Sequence, residues 1–474
     1  MLFCSRQFLV FFAVVFALYW ALPWRRARVG LLLAASFYFY ACWNRWLALL
    51  VCGSTLLDYL IARGIEASAS GRTRKLLLAL SLVANLGLLC YFKYANFFLR
   101  SLEDALRAAG ATAALPVLQV ILPVGISFYT FEAINYTVDV YRGKAHAERN
   151  LAHFLLFILF FPHLVAGPIV RARDFLPQIT RPKRWSWARA QLGAQFFLMG
   201  LFKKLAIADR MALFADPVFE SPHSYGSLAV WLAVLAYAVQ IYCDFSGYTD
   251  MALGCAHLLG YKLARNFDLP YLSANVSEFW RRWHISLSSW LRDYLFIPLG
   301  GSRGTKWQTA RNLLVTMVLG GLWHGAAWTF VAWGALHGLL LVGHRAFQQF
   351  CKRRAWLDRL LQSVPGTGVR VGLTFAAVCA CWVFFRATTF ATALTMLGRM
   401  VVPCDGLGPP LHKRAFGYTM AVVVVAHLLA RTGWWKRAAV RLPGPALGVG
   451  YGMVLTLALL LAPDVGKAFI YFQF

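Results

Sequence analysis

Long apolar blocks alternate with short basic clusters along the whole chain, and the block lengths set the first expectation. A helix needs about 20 apolar residues to cross a hydrocarbon core of about 30 Å. The candidate spans are Phe8 to Leu22, Val29 to Cys42, which is short, Trp46 to Ala62, Leu76 to Leu99, Val117 to Tyr141, Ala190 to Ala208, Ser227 to Leu259, Val369 to Phe385, Phe416 to Ala430 and Ala446 to Leu461. The first has no small-residue cleavage site and is followed at once by Arg25, Arg26 and Arg28, so it reads as an anchor and not a signal peptide. Two further apolar stretches have basic sequence on both sides. Leu151 to Val170, interrupted by Pro162, Gly167 and Pro168, reads as a segment that dips in and returns. Asn312 to Gly343 is too long for one span and too short for two full crossings, and reads as a hairpin reaching part-way. A helix from Asn312 to His324 climbs ~18 Å, which places His324 near the membrane midplane. The pattern therefore predicts an all-α, polytopic helical membrane protein with about ten spans plus re-entrant segments, in a single domain over residues 1–474; it requires no strand.

Composition agrees: 60% of the 474 residues are apolar and 14% charged. That excludes a soluble enzyme, a disordered tail protein and a secreted disulfide scaffold, because one aqueous core cannot hide so much apolar side chain. The net charge of +28 comes from short clusters between apolar runs and not from a separate basic domain, which points to anionic lipid and not to nucleic acid. Basic segments at Arg25–Arg28, Arg63–Lys75, Arg142–Arg149, Arg171–Arg189, Lys262–Arg311, Arg345–Arg359 and Arg431–Arg441 are expected in the cytoplasm. The balanced loop Arg100–Pro116 and the acidic loop Asp209–Gly226 are expected outside. None of the ten cysteines forms a C-x-x-C pair, so buried thiols are the simplest reading.

An ionisable side chain at midplane depth is costly and signals function. His324 lies in Gly320-Gly321-Leu322-Trp323-His324-Gly325, where glycines let backbone and ligand approach closely. A neutral imidazole there can take a proton from a hydroxyl and pass it to a leaving group. The alternative is a packing histidine bonded to a helix carbonyl. Phe279 to Phe296, read as one helix, places Trp280, His284, Ser288 and Leu291 on one face, a polar pocket lining with Arg281 and Arg292 about one and two turns away. Interfacial lipid contact is the competing reading for its arginines. Arg281, Arg282, Arg303 and Lys306, the last two in the basic Gly300–Lys306 loop, are candidates to bind the phosphates of a donor substrate. Asp244 and Asp250 are either structural partners or orienters of a histidine. The His324, His337 and His344 spacing matches no standard ligand set, so no metal is expected.

The Trp280-Arg281-Arg282-Trp283-His284 and Trp323-His324-Gly325 segments together resemble the membrane-bound O-acyltransferase family. The likeness is to its bacterial branch of alginate O-acetyltransferases and teichoic acid D-alanyl transferases. Gly125–Tyr129, Phe161–Pro168, Asp244–Tyr248, Asn266–Tyr271 and Phe469–Phe474 carry the same likeness across nearly the whole chain. The resemblance implies an acyltransferase of the bacterial inner membrane, taking its acyl group from a cytoplasmic thioester, acetyl-CoA in the first instance, with no covalently bound cofactor. It implies His324 as the essential histidine and His284 as the second. It also implies delivery to an extracytoplasmic polysaccharide, alginate first and peptidoglycan or cellulose as alternatives, directly or through periplasmic carrier or transferase proteins. Intramembrane histidines also suit a proton-coupled transporter or lipid-handling channel, a class in which internal repeats are expected; the sequence shows none.

Overall fold

The computed structural model describes residues 1–111, 114–165, 167–433, 442–463 and 469–470. The end of the basic segment Arg431–Arg441, Ala166 of the Phe161–Pro168 motif and the last four residues of Phe469–Phe474 lie outside them. Among the described residues the fold is helical, and the one β contact is an isolated bridge between Tyr225 and Leu407. Six helical stretches are long and apolar enough to cross a membrane, and three shorter apolar helices accompany them. The chain divides into two compact units, residues 1–197 with 252–264, and residues 198–251 with 265–474.

The first unit holds α1 (Arg6–Ala21), α2 (Arg25–Ala41), α3 (Arg45–Ala67), α4 (Gly71–Leu89), α5 (Ala95–Ala108), α6 (Ile126–Tyr141), α7 (Leu151–Leu159), α8 (Phe161–Leu164) and α9 (Ala172–Thr180). It also holds most of α10 (Trp187–Phe202). Polar caps start several of them: Ser5 accepts from Phe8 N–H, Asn44 from Trp46 and Leu47, and Asn150 from Ala152 and His153. Leu76, Leu80, Val83 and Leu86 of α4 are exposed, as a lipid-facing surface requires. By contrast α6 is buried on nearly every face. The expected span from Val117 is shorter than the apolar run, since residues before Gly125 are not helical and α6 starts where Gly125 takes a left-handed turn. The expected re-entrant segment breaks at Phe160, between α7 and α8, and the chain around the break, Leu156 to Val165, is buried, as broken backbone at depth must be.

The second unit takes the end of α10, then α11 (Asp209–Glu220), the larger part of α12 (Ser227–Leu258), α13 (Val276–Arg282), α14 (Ile285–Leu291), α15 (Lys306–His324) and α16 (Trp328–Lys352). It ends in α17 (Ala355–Gln362), α18 (Val364–Arg386), α19 (Phe390–Val401), α20 (Lys413–Thr432) and α21 (Gly444–Leu460). The stretch expected as an acidic loop from Asp209 is instead the helix α11. Buried Asp209 there shares the Lys204 ammonium with Asp244, each at 2.8 Å. Asp244 and Asp250, the latter 2.6 Å from Lys203, are thus paired with lysines.

The hairpin expected from Asn312 starts earlier and is longer than the apolar run. Thr305 and Gln308 form a capping box that starts α15 at Lys306, six residues ahead of Asn312. His324 then stands about 27 Å along the helix from its start, and α16, about 37 Å long, is long and apolar enough to cross. Small residues let the two helices touch: a Cβ on Gly321 would strike the Phe330 carbonyl, and one on Gly334 the Met317 carbonyl. This close approach fixes His324, at the end of α15, against α16.

Candidate active site

The segment expected as one helix from Phe279 to Phe296 is two short helices, α13 and α14, separated at Trp283–His284. His284 adopts a left-handed backbone, φ 42° and ψ 56°, which costs a non-glycine residue energy and needs support. Asn266 supplies it. Its backbone carbonyl accepts the Ile285 N–H at 2.9 Å, and its side-chain oxygen accepts the Ser286 N–H at 3.1 Å and the Ser286 hydroxyl at 2.8 Å. The single face of Trp280, His284, Ser288 and Leu291 therefore does not exist, because the helix that would align them is broken by these bonds.

The same Asn266 oxygen lies 3.2 Å from His284 Nδ1. A backbone N–H can only donate, so the atom facing Ser286 is the amide oxygen, and Nδ1 must carry a proton to bond it. In the neutral ring this leaves Nε2 as the acceptor. Burial holds the imidazole well below its ordinary pKa, which keeps it neutral.

His284 and His324 come together, their ring centroids 6.3 Å apart. Phe245 stands edge-on to His284 at 4.6 Å. Around His324 are Trp323, Trp333 and Phe385, with centroids at 5.0, 5.1 and 5.2 Å. His324 retains 4% of its surface and His284 none. Two imidazoles thus share an aromatic, water-poor setting, in which proton transfers and developing charge are governed by fixed groups and not by solvent.

The four cations are not gathered there. Arg282 is bound to Glu278 at 2.6 Å, and Arg281, Arg303 and Lys306 are exposed. Lys306 begins the helix that ends at His324. His337 is buried on α16, and its Nδ1 accepts the Trp280 indole N–H at 3.3 Å, so that lone pair is taken. Among the described residues no group of three His, Cys, Asp or Glu side chains is placed to hold a metal. Reading the sequence missed Asn266 as the support of His284, and passed over Trp333. Asn266 was visible only as part of a motif, and its partner lies eighteen residues away.

The family profile of the membrane-bound O-acyltransferases matches residues 77–383, a stretch that contains Asn266, His284, His324, Trp333 and His337. The chain belongs to the membrane-bound O-acyltransferase family. It is 43% identical to a protein of Azotobacter vinelandii named probable alginate O-acetylase AlgI, over 84% of this chain and 78% of that one. The protein of the same name from Pseudomonas putida is 39% identical over the full length of both. A peptidoglycan O-acetyltransferase of Helicobacter pylori is 38% identical over 78% of this chain and 73% of its own. This O-acyltransferase is a multi-pass membrane protein, and the expectation of a helical acyltransferase fold is met.

Proposed function

We propose that this acyltransferase moves an acetyl group from a cytoplasmic thioester, acetyl-CoA, to hydroxyls of an extracytoplasmic polysaccharide, alginate, from the bacterial inner membrane, with residues 1–474 acting as one functional domain. The observation that carries the reading is the buried His284–His324 pair. Their ring centroids lie 6.3 Å apart, so one substrate group can engage both imidazoles. The identities to alginate O-acetylases support acetyl and alginate. The acceptor is the polymer itself or a periplasmic carrier protein with a reactive hydroxyl.

His324 accepts the hydroxyl proton as the alcohol oxygen bonds to the thioester carbonyl carbon. The C–S bond then breaks, and the proton passes to the departing thiolate. His284, with its lone pair on Nε2, suits the orienting role better than that of an oxyanion donor. Arg281, Arg303 and Lys306 bind donor phosphates at the water-accessible side.

The test uses purified protein in liposomes with radiolabelled acetyl-CoA and alginate oligomers. Wild type is expected to release CoA and label the oligomer. His324→Ala, folded and inserted as wild type, is expected to lose at least about 10²-fold of that rate. A His324→Ala protein that acetylates at the wild-type rate overturns the assignment. Proton or lipid flux without labelled product would instead mark a transporter.

A further inference from the structure

Beside His324, the inner face of α16 carries two polar hydrogens that nothing among the described residues accepts. Trp333 and His337 lie one turn apart, 1% and 0% exposed, with ring centroids 4.8 Å apart. Because Trp280 can only donate, His337 Nδ1 is the acceptor of that bond, and the neutral ring carries its proton on Nε2. His337 Nε2 and Trp333 Nε1 both lack a hydrogen-bond partner. Trp333 is itself in edge contact with His324, centroids 5.1 Å apart. On the other side of the histidine pair, the Asn266 side-chain nitrogen, also fully buried, has no partner either. Buried donors are nearly always bonded, and leaving one unmade is costly, so adjacent orphans at a reaction centre call for an account.

A ligand that satisfies them must bring acceptor oxygens and little else. An alcohol brings its own donor and needs an acceptor. A phosphate brings charge that the aromatic walls of Trp333, Trp382 and Phe385 do not neutralise. A carbonyl oxygen fits: it is neutral on arrival, accepts two hydrogen bonds, and gains negative charge when its carbon is attacked.

We infer that Trp333 Nε1–H and His337 Nε2–H form the subsite for carbonyl oxygen of the acyl donor beside His324. The inference rests on the acyl-transfer reading above and supplies the oxyanion donors that the His284 tautomer leaves unassigned. No bond is made or broken by either side chain. Each donates to oxygen, more strongly as charge builds on it.

The experiment compares two unreactive donor analogues on the purified full chain: acetonyl-CoA, a ketone that keeps the carbonyl, and S-propyl-CoA, in which a methylene replaces it. Wild type is expected to bind acetonyl-CoA about tenfold tighter, the scale of one or two hydrogen bonds. Trp333→Phe and His337→Phe should each erase much of that preference while binding S-propyl-CoA as wild type does. His337→Gln, whose amide can accept from Trp280 and donate to the ligand, should retain it. This rescue is a readout that a merely structural role does not give, and it does not depend on Trp333→Phe folding. A preference unchanged in His337→Phe, equal loss of both analogues, or no preference in wild type overturns the inference and leaves the acyltransferase reading standing. Failure of wild type to bind either analogue overturns the CoA donor, and this subsite with it.

Discussion

Two buried imidazoles have Nδ1 beside different oxygens. In the first unit His163 lies 3.3 Å from the Glu132 carboxylate, which also accepts the Val170 N–H at 2.8 Å. In the second, His284 faces the side-chain amide of Asn266 at 3.2 Å. The Glu132 carboxylate faces α8 through His163 and the chain after α8 through the Val170 N–H, and so braces α6 against both. An amide oxygen fixes which nitrogen of His284 carries the proton and adds no charge to the site. The contrast separates a histidine that holds the fold from one held at the active site, although both are buried to the same degree.

Breaking the brace should have the largest effect. Glu132→Ala leaves His163 and the Val170 N–H buried without their partner, a loss of about 3–5 kcal/mol and a fall in Tm on the order of 10 °C, read by thermal unfolding in detergent. Glu132→Gln, which keeps an acceptor, should lose much less. A Glu132→Ala protein as stable as wild type would remove the distinction drawn here.

Converting one setting into the other sharpens it. Asn266→Leu removes the acceptor of His284 and of Ser286, and should lower kcat about 10–100-fold, the usual cost of losing a group that orients a catalytic ring. KM for the thioester should hold. Asn266→Asp restores an oxygen but adds charge, giving His284 the partner that His163 has. A carboxylate favours the protonated ring, so more of the ring is charged at a given pH, and the acidic limb of the pH–rate profile should move to higher pH. An unmoved profile in Asn266→Asp would show that the charge state of His284 has no bearing on the reaction.

These two residues also show what the sequence can and cannot carry. Helices α3, α4, α12 and α18 follow from long apolar runs, because the bilayer imposes that pattern locally. His324 stands out for its glycines and its depth in an apolar run. The break at His284 does not, since Phe279 to Phe296 has acceptable helical periodicity throughout; the turn is imposed by Asn266, whose bonds to residues 284–286 are tertiary. The start of α15 was readable in Thr305 and Gln308, a capping box that the apolar count passes over. Trp333 and His337 look like ordinary helix-core residues, and what distinguishes them is that no acceptor among the described residues meets their N–H groups.

The smallest effect concerns the cations, which test binding apart from chemistry. Arg281, Arg303 and Lys306 are exposed, and Lys306 is separated from His324 by the length of α15. Charges in that position should change capture of an anionic donor and leave proton transfer alone. Each change to Gln should raise KM for acetyl-CoA by no more than about fivefold, the scale of an exposed ion pair of up to about 1 kcal/mol, with kcat unchanged. The effect should fade as ionic strength rises past about 0.15 M, where the screening length is about 8 Å. Arg282, already bound to Glu278, should show its loss in stability and not in KM. A triple Arg281, Arg303 and Lys306 variant with wild-type KM at low salt would place the donor phosphates on other residues, while a drop in kcat would mean that these cations act on the site where His284 and His324 meet.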